Sequence, residues 1–192
     1  MKIETKAELE ALFELQGRRR WELAGTSAKV RAEKLGRLRA AMLARQGELY
    51  AAIWEDYHKS QFETWLTELF PSVVELDHTA KGLSSWMRDR KARGAFILPL
   101  ARSRVHYEPK GRVLIMSPWN YPFQLLIAPL VSAIAAGNTV IAKPSNKTPR
   151  TSAFIASLLG EVFPEDEVAV VEGPGSVLGE MLLELPFDHV FF

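Results

Sequence analysis

Apolar residues in the first ninety positions recur at helical spacing. Leu35, Leu38, Met42, Leu49 and Ile53 fall three, four and seven residues apart, along one face of a helix. Thr26 and Ser27 precede that run with hydroxyls suited to cap it. Ser60-Gln61-Phe62-Glu63 has the form of a capping box, in which the serine accepts from the amide three residues on and the glutamate reaches back. Val73, Leu76, Ala80, Leu83 and Met87 then repeat at three and four. Pro71 lacks an N–H and clashes with the preceding turn, so it is expected to kink this stretch or to start a new helix. These helices have the pattern of elements that pack on a sheet.

The period changes near Phe96. Phe96 to Leu100 and Ser103 to Tyr107 read as two extended strands around a short turn. From Gly111 the rhythm becomes strand, helix, strand, helix. Val113–Met116, Thr139–Ala142, Val168–Val171 and His189–Phe192 are the predicted strands. Pro122 to Ala136, Thr148 to Val162 and Ser176 to Leu185 are the predicted helices, the first closed by Gly137 and the second opened by Thr148 and Pro149. Such alternation predicts an α/β fold with a parallel sheet and right-handed crossovers. The chain divides into a helical part over 1–95, a hairpin over 96–110 and the sheet over 111–192.

Composition narrows the function classes. The formal net charge is +1 over 192 residues, which gives no field for nucleic acid. Arg18-Arg19-Arg20 beside Trp21 reads as a solvated helix end. No apolar run reaches the roughly 18 residues of a membrane helix, and the start lacks a signal-peptide core, so a cytoplasmic location is expected. Zero cysteines exclude disulfides, thiolate metal sites and a cysteine nucleophile within these residues. His58, His78, His106 and His189 have no metal-ligand spacing, and Glu165-Asp166-Glu167 reads as a solvated loop.

The chemistry concentrates at Ser117-Pro118-Trp119-Asn120-Tyr121-Pro122 and at Gly137-Asn138-Thr139-Val140-Ile141-Ala142-Lys143-Pro144-Ser145. Each apolar run ends in polar residues at a proline-bounded turn. That places Asn120 and Lys143 at the carboxyl ends of neighbouring strands, the edge where open α/β sheets bind ligands. Asn120, held between prolines, either points its amide at developing negative charge or caps the helix starting near Pro122. Lys143 is either a ligand-binding cation or a surface lysine. Trp119 lines a groove or packs in the core.

Together the two segments resemble the NAD(P)-dependent aldehyde dehydrogenase superfamily. Tyr107-Glu108-Pro109-Lys110-Gly111 and Leu185-Pro186-Phe187-Asp188-His189-Val190-Phe191-Phe192 bring the chain nearest to its class 3 and fatty-aldehyde branch. The resemblance implies a partial Rossmann-like sheet, a hairpin belonging to the oligomerisation region, and a homodimer. It implies that Asn120 supplies an oxyanion donor to the adduct between a cysteine thiolate and an aldehyde. It implies that Met116, Ser117, Pro118, Trp119, Lys143, Ser145, Asn146 and Gly173 contact NAD or NADP. Asn146 departs from the glutamate that often follows Lys-Pro-Ser in the family. A carboxylate there would repel a 2′-phosphate, so tolerance of NADP is expected. The nucleophile and general base would lie beyond Phe192, so the chain reads as an amino-terminal fragment without dehydrogenase activity of its own. Its last strand is expected to leave Val190 and Phe192 uncovered and to favour self-association. Two other readings stay open: a non-catalytic binding module completed by a partner chain, and an unrelated small α/β binding protein.

Overall fold

The computed structural model describes residues 1–93 and 102–192. Five consecutive helices come first: α1 (Lys6–Ala24), α2 (Ala28–Ala44), α3 (Gln46–Tyr57), the single turn α4 (Gln61–Thr64) and, after a π-helical turn at Trp65–Leu69, α5 (Phe70–Trp86). Strands β1 (Arg90–Ala92) and β2 (Ser103–Val105) follow. The alternating region is β3 (Arg112–Met116), α6 (Gln124–Ala136), β4 (Thr139–Lys143), α7 (Pro149–Val162), β5 (Val168–Val170), α8 (Gly175–Leu183) and β6 (His189–Phe191).

The four later strands form one parallel sheet in the order β5-β4-β3-β6. The chain runs outward from β3 to β5 and then returns to the far side of β3. This reversal puts the topological switch beside the carboxyl end of β3, which leads into Ser117–Pro122.

Period-two alternation divides the sheet between two cores. Val113, Ile115, Val140, Ala142, Val168 and Val170 face one layer with α2, α3, α5, α6 and α7. Leu114, Ile141, Ala169 and Val171 face the other, with Leu9, Leu12 and Phe13 of α1 and Leu178 and Leu182 of α8. By the same alternation Met116 and Lys143, paired in register at the strand ends, stand on the α1/α8 side.

Two serine caps form as read, but Thr148 makes no side-chain cap on α7 and only the serine half of the Ser60–Glu63 box is present. Ser27 accepts from the Val30 amide at 3.4 Å, and Ser60 from the Glu63 amide at 3.2 Å. Gly137 closes α6 in the left-handed conformation, φ 87°. Pro71 lies in the first turn of α5, directly after the π turn. The Leu35-to-Ile53 stripe, by contrast, belongs to two helices that meet at Arg45. Both bury the stripe in one core, so the periodicity survives the break.

Three sequence expectations are corrected. Strand β2 pairs antiparallel with Arg90–Ala92, inside the stretch assigned to helices, while the predicted strand Phe96–Leu100 lies outside the described residues. Glu167 is not solvated: it is 3% exposed and its carboxylate lies 2.5 Å from the Lys34 ammonium. Nor is the arginine cluster a free helix end, since Arg19 reaches Asp166 at 3.8 Å and Arg20 reaches Asp188 at 3.2 Å.

The β1–β2 pair carries its own titrating contact. Asp89 Oδ1 lies 2.6 Å from His106 Nδ1, and Asp89 Oδ2 lies 3.6 Å from Arg104. The hydrogen bond with Asp89, and then its charge, raise the His106 pKa; the same hydrogen bond lowers that of Asp89. A raised histidine stabilises fully below its unfolded value of about 6.5 and loses the effect as pH rises through its folded value. A depressed aspartate stabilises above about 3.9 and loses the effect as pH falls through its own. The pair therefore holds the strands best between roughly pH 4 and 6.5. An NMR titration is expected to place His106 above an ordinary histidine, with the rise abolished by Asp89→Asn; an unmoved His106 titration would contradict the pairing.

Candidate functional site

Two groups of side chains meet at the carboxyl rim of the sheet. The first surrounds Lys143. As the last residue of β4 it is pinned by the backbone ladder, and its carbonyl accepts from the Ser117 amide at 3.1 Å. The residue is 6% exposed, yet among the described residues its ammonium has only a 3.4 Å contact with the carbonyl of neighbouring Pro144. Burial lowers its pKa below the ordinary lysine value. No carboxylate among the described residues pairs with it.

What the ammonium faces is the start of α8. A methyl group added to Gly175 would sit 3.9 Å from Lys143 Nζ and 3.5 Å from Asn146 Oδ1. An ammonium, a carboxamide and the first turn of a nine-residue helix thus converge on a residue with no side chain. The helix has no side-chain cap. Unsatisfied amides at a helix start favour phosphate, and the lack of a Cβ lets a ligand approach the backbone. Gly173 does not share this place: the space beside it is occupied by Leu178 at 3.2 Å and the Ile3 carbonyl at 3.9 Å.

Ser145 organises the turn after β4. Its hydroxyl accepts from the Lys147 amide at 3.2 Å, and its carbonyl accepts from the Ser152 hydroxyl at 2.8 Å. Asn146, next in the chain, is exposed. Across the strand pair, half-buried Met116 lies with its methyl 3.7 Å from where a side chain on Gly179 would begin. Ser117 is buried, and its hydroxyl has no hydrogen-bond partner among the described residues.

The second group holds the Ser117–Pro122 loop. Pro118, Trp119, Asn120 and Tyr121 are exposed, so the rim is open at Asn120. Trp119 is half exposed and stacks on Tyr57, with ring centres 6.4 Å apart, while the Lys147 ammonium lies 5.7 Å from the Trp119 ring centre. It is a rim residue, not a core one. Burial, then the charges of Asp56 and Glu68, push the Tyr57 phenol up to about 12, which keeps it neutral.

Asn120 does not cap α6. Glu68 does, with Oε2 accepting from the amides of Phe123 at 3.1 Å and Gln124 at 3.0 Å. Glu68 comes from the π turn and is wholly buried. Its other oxygen accepts from the Lys59 ammonium at 2.9 Å, which also donates to the Asn120 carbonyl at 3.0 Å. The Asn120 carboxamide has no partner among the described residues and stays available to a ligand.

The structure thus brings Met116, Ser117, Lys143, Ser145 and Asn146 together at the α8 side of the rim, and sets Pro118, Trp119 and Asn120 on its loop. Lys59, Glu68 and Gly175 were missed. Gly175 had a signal, because a glycine opening a helix after a strand marks a close backbone approach. Lys59 and Glu68 had only the helix-start pattern around Ser60. A cavity of about 670 Å³ between α5, α6 and the β1–β2 strands includes none of the rim residues. The under-bonded Lys143 ammonium and the uncapped amides of α8 are at the rim instead.

Known proteins share this fold. Residues 4–192 match the aldehyde dehydrogenase family. Over 192 residues the chain is 37% identical to a putative aldehyde dehydrogenase, AldX, of Bacillus subtilis, covering all of this chain and 43% of that one. It is 39% identical over 166 residues to aldehyde dehydrogenase family 3 member B1 of Rattus norvegicus, covering 86% of this chain and 35% of the relative. The structure of Staphylococcus aureus AldH in a substrate-bound state superposes with a TM-score of 0.91 at 33% identity, over 96% of this chain and 40% of that one. The chain therefore spans about two fifths of the length of these relatives. No helix among the described residues is long and apolar enough to cross a membrane. The match over nearly all residues excludes an unrelated α/β protein: the chain belongs to the aldehyde dehydrogenase family.

Proposed function

We propose that these residues form the amino-terminal part of the cofactor domain of an enzyme that oxidises aldehydes with NAD or NADP. The observation that carries the reading is the buried, under-bonded Lys143 ammonium facing Gly175 and Asn146. That donor set fits a ribose or phosphate group of a dinucleotide. Lys143 and Asn146 would hold the ribose, the first amides of α8 a phosphate, and Met116 and Ser117 the adjacent rim. The dinucleotide, when bound, accepts the hydride. Asn120 would donate its amide to the oxygen of the aldehyde adduct, at the far side of the same rim.

Covalent oxidation also needs a nucleophile and a base. With no cysteine in the sequence, a thiolate must come from elsewhere. We therefore read this segment by itself as inactive. The enzyme is read as a cytoplasmic homodimer.

The test is calorimetric titration of NAD and NADP into the chain and two variants. A hydrogen bond from a charged donor is worth about 1.5–3 kcal/mol, so Lys143→Met is expected to weaken NAD by roughly 10- to 100-fold. Methionine is close in size and removes a buried charge, so the variant should melt no lower. The unaltered chain should take both cofactors, and Asn146→Glu should weaken NADP selectively. Unchanged NAD affinity in Lys143→Met would overturn the site, and strong rejection of NADP by the unaltered chain would overturn the role of Asn146.

A further inference from the structure

We propose that Lys59 is a positioning residue: anchored by Glu68, it sets the backbone of the Asn120 loop and so aims the Asn120 amide. The proposal rests on the oxyanion reading of Asn120 given above.

The geometry around Lys59 uses its whole ammonium. One N–H goes to Glu68 Oε1 at 2.9 Å and one to the Asn120 carbonyl at 3.0 Å. The nitrogen also lies 4.4 Å above the Tyr121 ring and 5.3 Å from that of Tyr57. An ammonium has three donors, so two hydrogen bonds and an aromatic face leave none for a substrate. Lys143 is the opposite case, buried with a single weak contact. One lysine is built as a strut and the other as a binding group.

The strut has a rigid foot. Glu68 is wholly buried, and Lys59 is 12% exposed at its side chain. The carboxylate is fixed by the amides of Phe123 and Gln124, so it cannot follow a moving lysine. Those amides open α6, directly after the loop. Residues 120 to 124 are thus held at both ends by one ion pair from the α3–α4 connection and the π turn. A π turn inside a helix is a frequent mark of a functional position. Here it places Glu68 toward α6.

Holding the loop matters because its residues are otherwise exposed and the Asn120 carboxamide has no partner. An oxyanion donor acts only if it is aimed before charge develops. A misplacement of 1 Å can cost about 100-fold in rate. The Lys59 hydrogen bond acts on the same residue whose side chain would do the donating.

The experiment labels the chain with 15N-asparagine, which reports on Asn120, Asn138 and Asn146 alone. Asn138 is a built-in control, since its carboxamide donates to the Ala133 carbonyl at 3.1 Å. In Lys59→Met the Asn120 signals are expected to move and broaden while those of Asn138 stay. Hydrogen exchange at Phe123 and Gln124 should quicken by about tenfold or more, and Lys59→Arg should recover most of the protection. Unmoved Asn120 signals, or equal changes at all three asparagines, would overturn the proposal. Should Lys59→Met fail to fold, the unaltered chain still decides. A slowly exchanging lysine ammonium with contacts to the Tyr121 ring is expected, and its absence sinks the idea.

Activity supplies a readout that packing alone would not move. In an enzyme joining this segment to the nucleophile-bearing remainder, Lys59→Met should lower kcat by about 10- to 100-fold with little change in cofactor KM. In an Asn120→Ala background it should add almost nothing, whereas a purely structural role would give additive losses. Cofactor titration separates the two readings. If NAD fails to bind the unaltered chain, the dehydrogenase proposal falls and the loop-order result stands; unmoved Asn120 signals do the reverse.

Discussion

Replacing Gly137 by alanine is expected to destabilise the protein by about 3 kcal/mol, lowering Tm by roughly 6–12 °C. Two costs combine. The residue has φ 87° at the end of α6, where a side chain costs about 1–2 kcal/mol. A methyl group there would also lie 2.5 Å from the Arg31 guanidinium carbon. That guanidinium cannot retreat. It donates to the Ala135 carbonyl at 3.1 Å, the Leu23 and Ala24 carbonyls at 3.3 and 3.1 Å, and the Thr26 hydroxyl at 2.9 Å. Overpacking at such a site adds about 1–3 kcal/mol. The control is Gly160→Ala inside α7, where an added methyl meets nothing within 4 Å. Helix propensity makes that change neutral or stabilising by up to about 1 kcal/mol. Thermal or urea melts of both variants decide the matter; equal shifts would show that the Arg31 clamp is not as described.

Asn120→Ala is expected to lower kcat for aldehyde oxidation by about 10²–10³, the usual effect of losing one oxyanion donor. The measurement needs the segment joined to a chain that carries the nucleophile. Cofactor affinity should stay within about twofold, since Lys143, Asn146 and Gly175 do not depend on the Asn120 side chain, and a factor of two is only about 0.4 kcal/mol. The fold should also persist, because Glu68 and not Asn120 satisfies the opening amides of α6. Asn120→Asp keeps the size but offers an acceptor in place of a donor, so it should be at least as damaging. Loss of less than about fivefold in kcat for both variants would remove Asn120 from the chemistry.

Much of this site was readable because its signals are local. A β-branched run ending at Lys143 and a glycine-closed helix before it depend on residues within one turn or strand. The succession of β3 to β6 along the chain and their parallel pairing follow the same way from strand–helix alternation, whereas the return of β6 to the far side of β3 does not. The Ser60 cap was readable too, since its partner is three residues away. What escaped depends on distant partners. The amides of Phe123 and Gln124 are capped by a glutamate 55 and 56 residues earlier, and no spacing rule reaches that far. Glu167 looked like part of a solvated acidic run because its partner, Lys34, lies 133 residues away. Arg90–Ala92 has the composition of a solvated helix end, and only pairing with Ser103–Val105 makes it a strand. Gly175 was passed over for Gly173 because a turn glycine and a ligand-facing glycine look alike until the direction of the missing side chain is known.

The Arg31–Gly137 clamp has a consequence for how this protein can change. It ties the carboxyl ends of α1 and α6, elements from opposite faces of the sheet, at the end where β4 begins. Lys143 stands where β4 stops, four residues and roughly 13 Å away along the strand. Robustness and ligand recognition therefore occupy opposite poles of the same β-segment. Engineering that toughens one pole can leave the other untouched, so thermal tolerance and cofactor choice should be open to adjustment as separate traits.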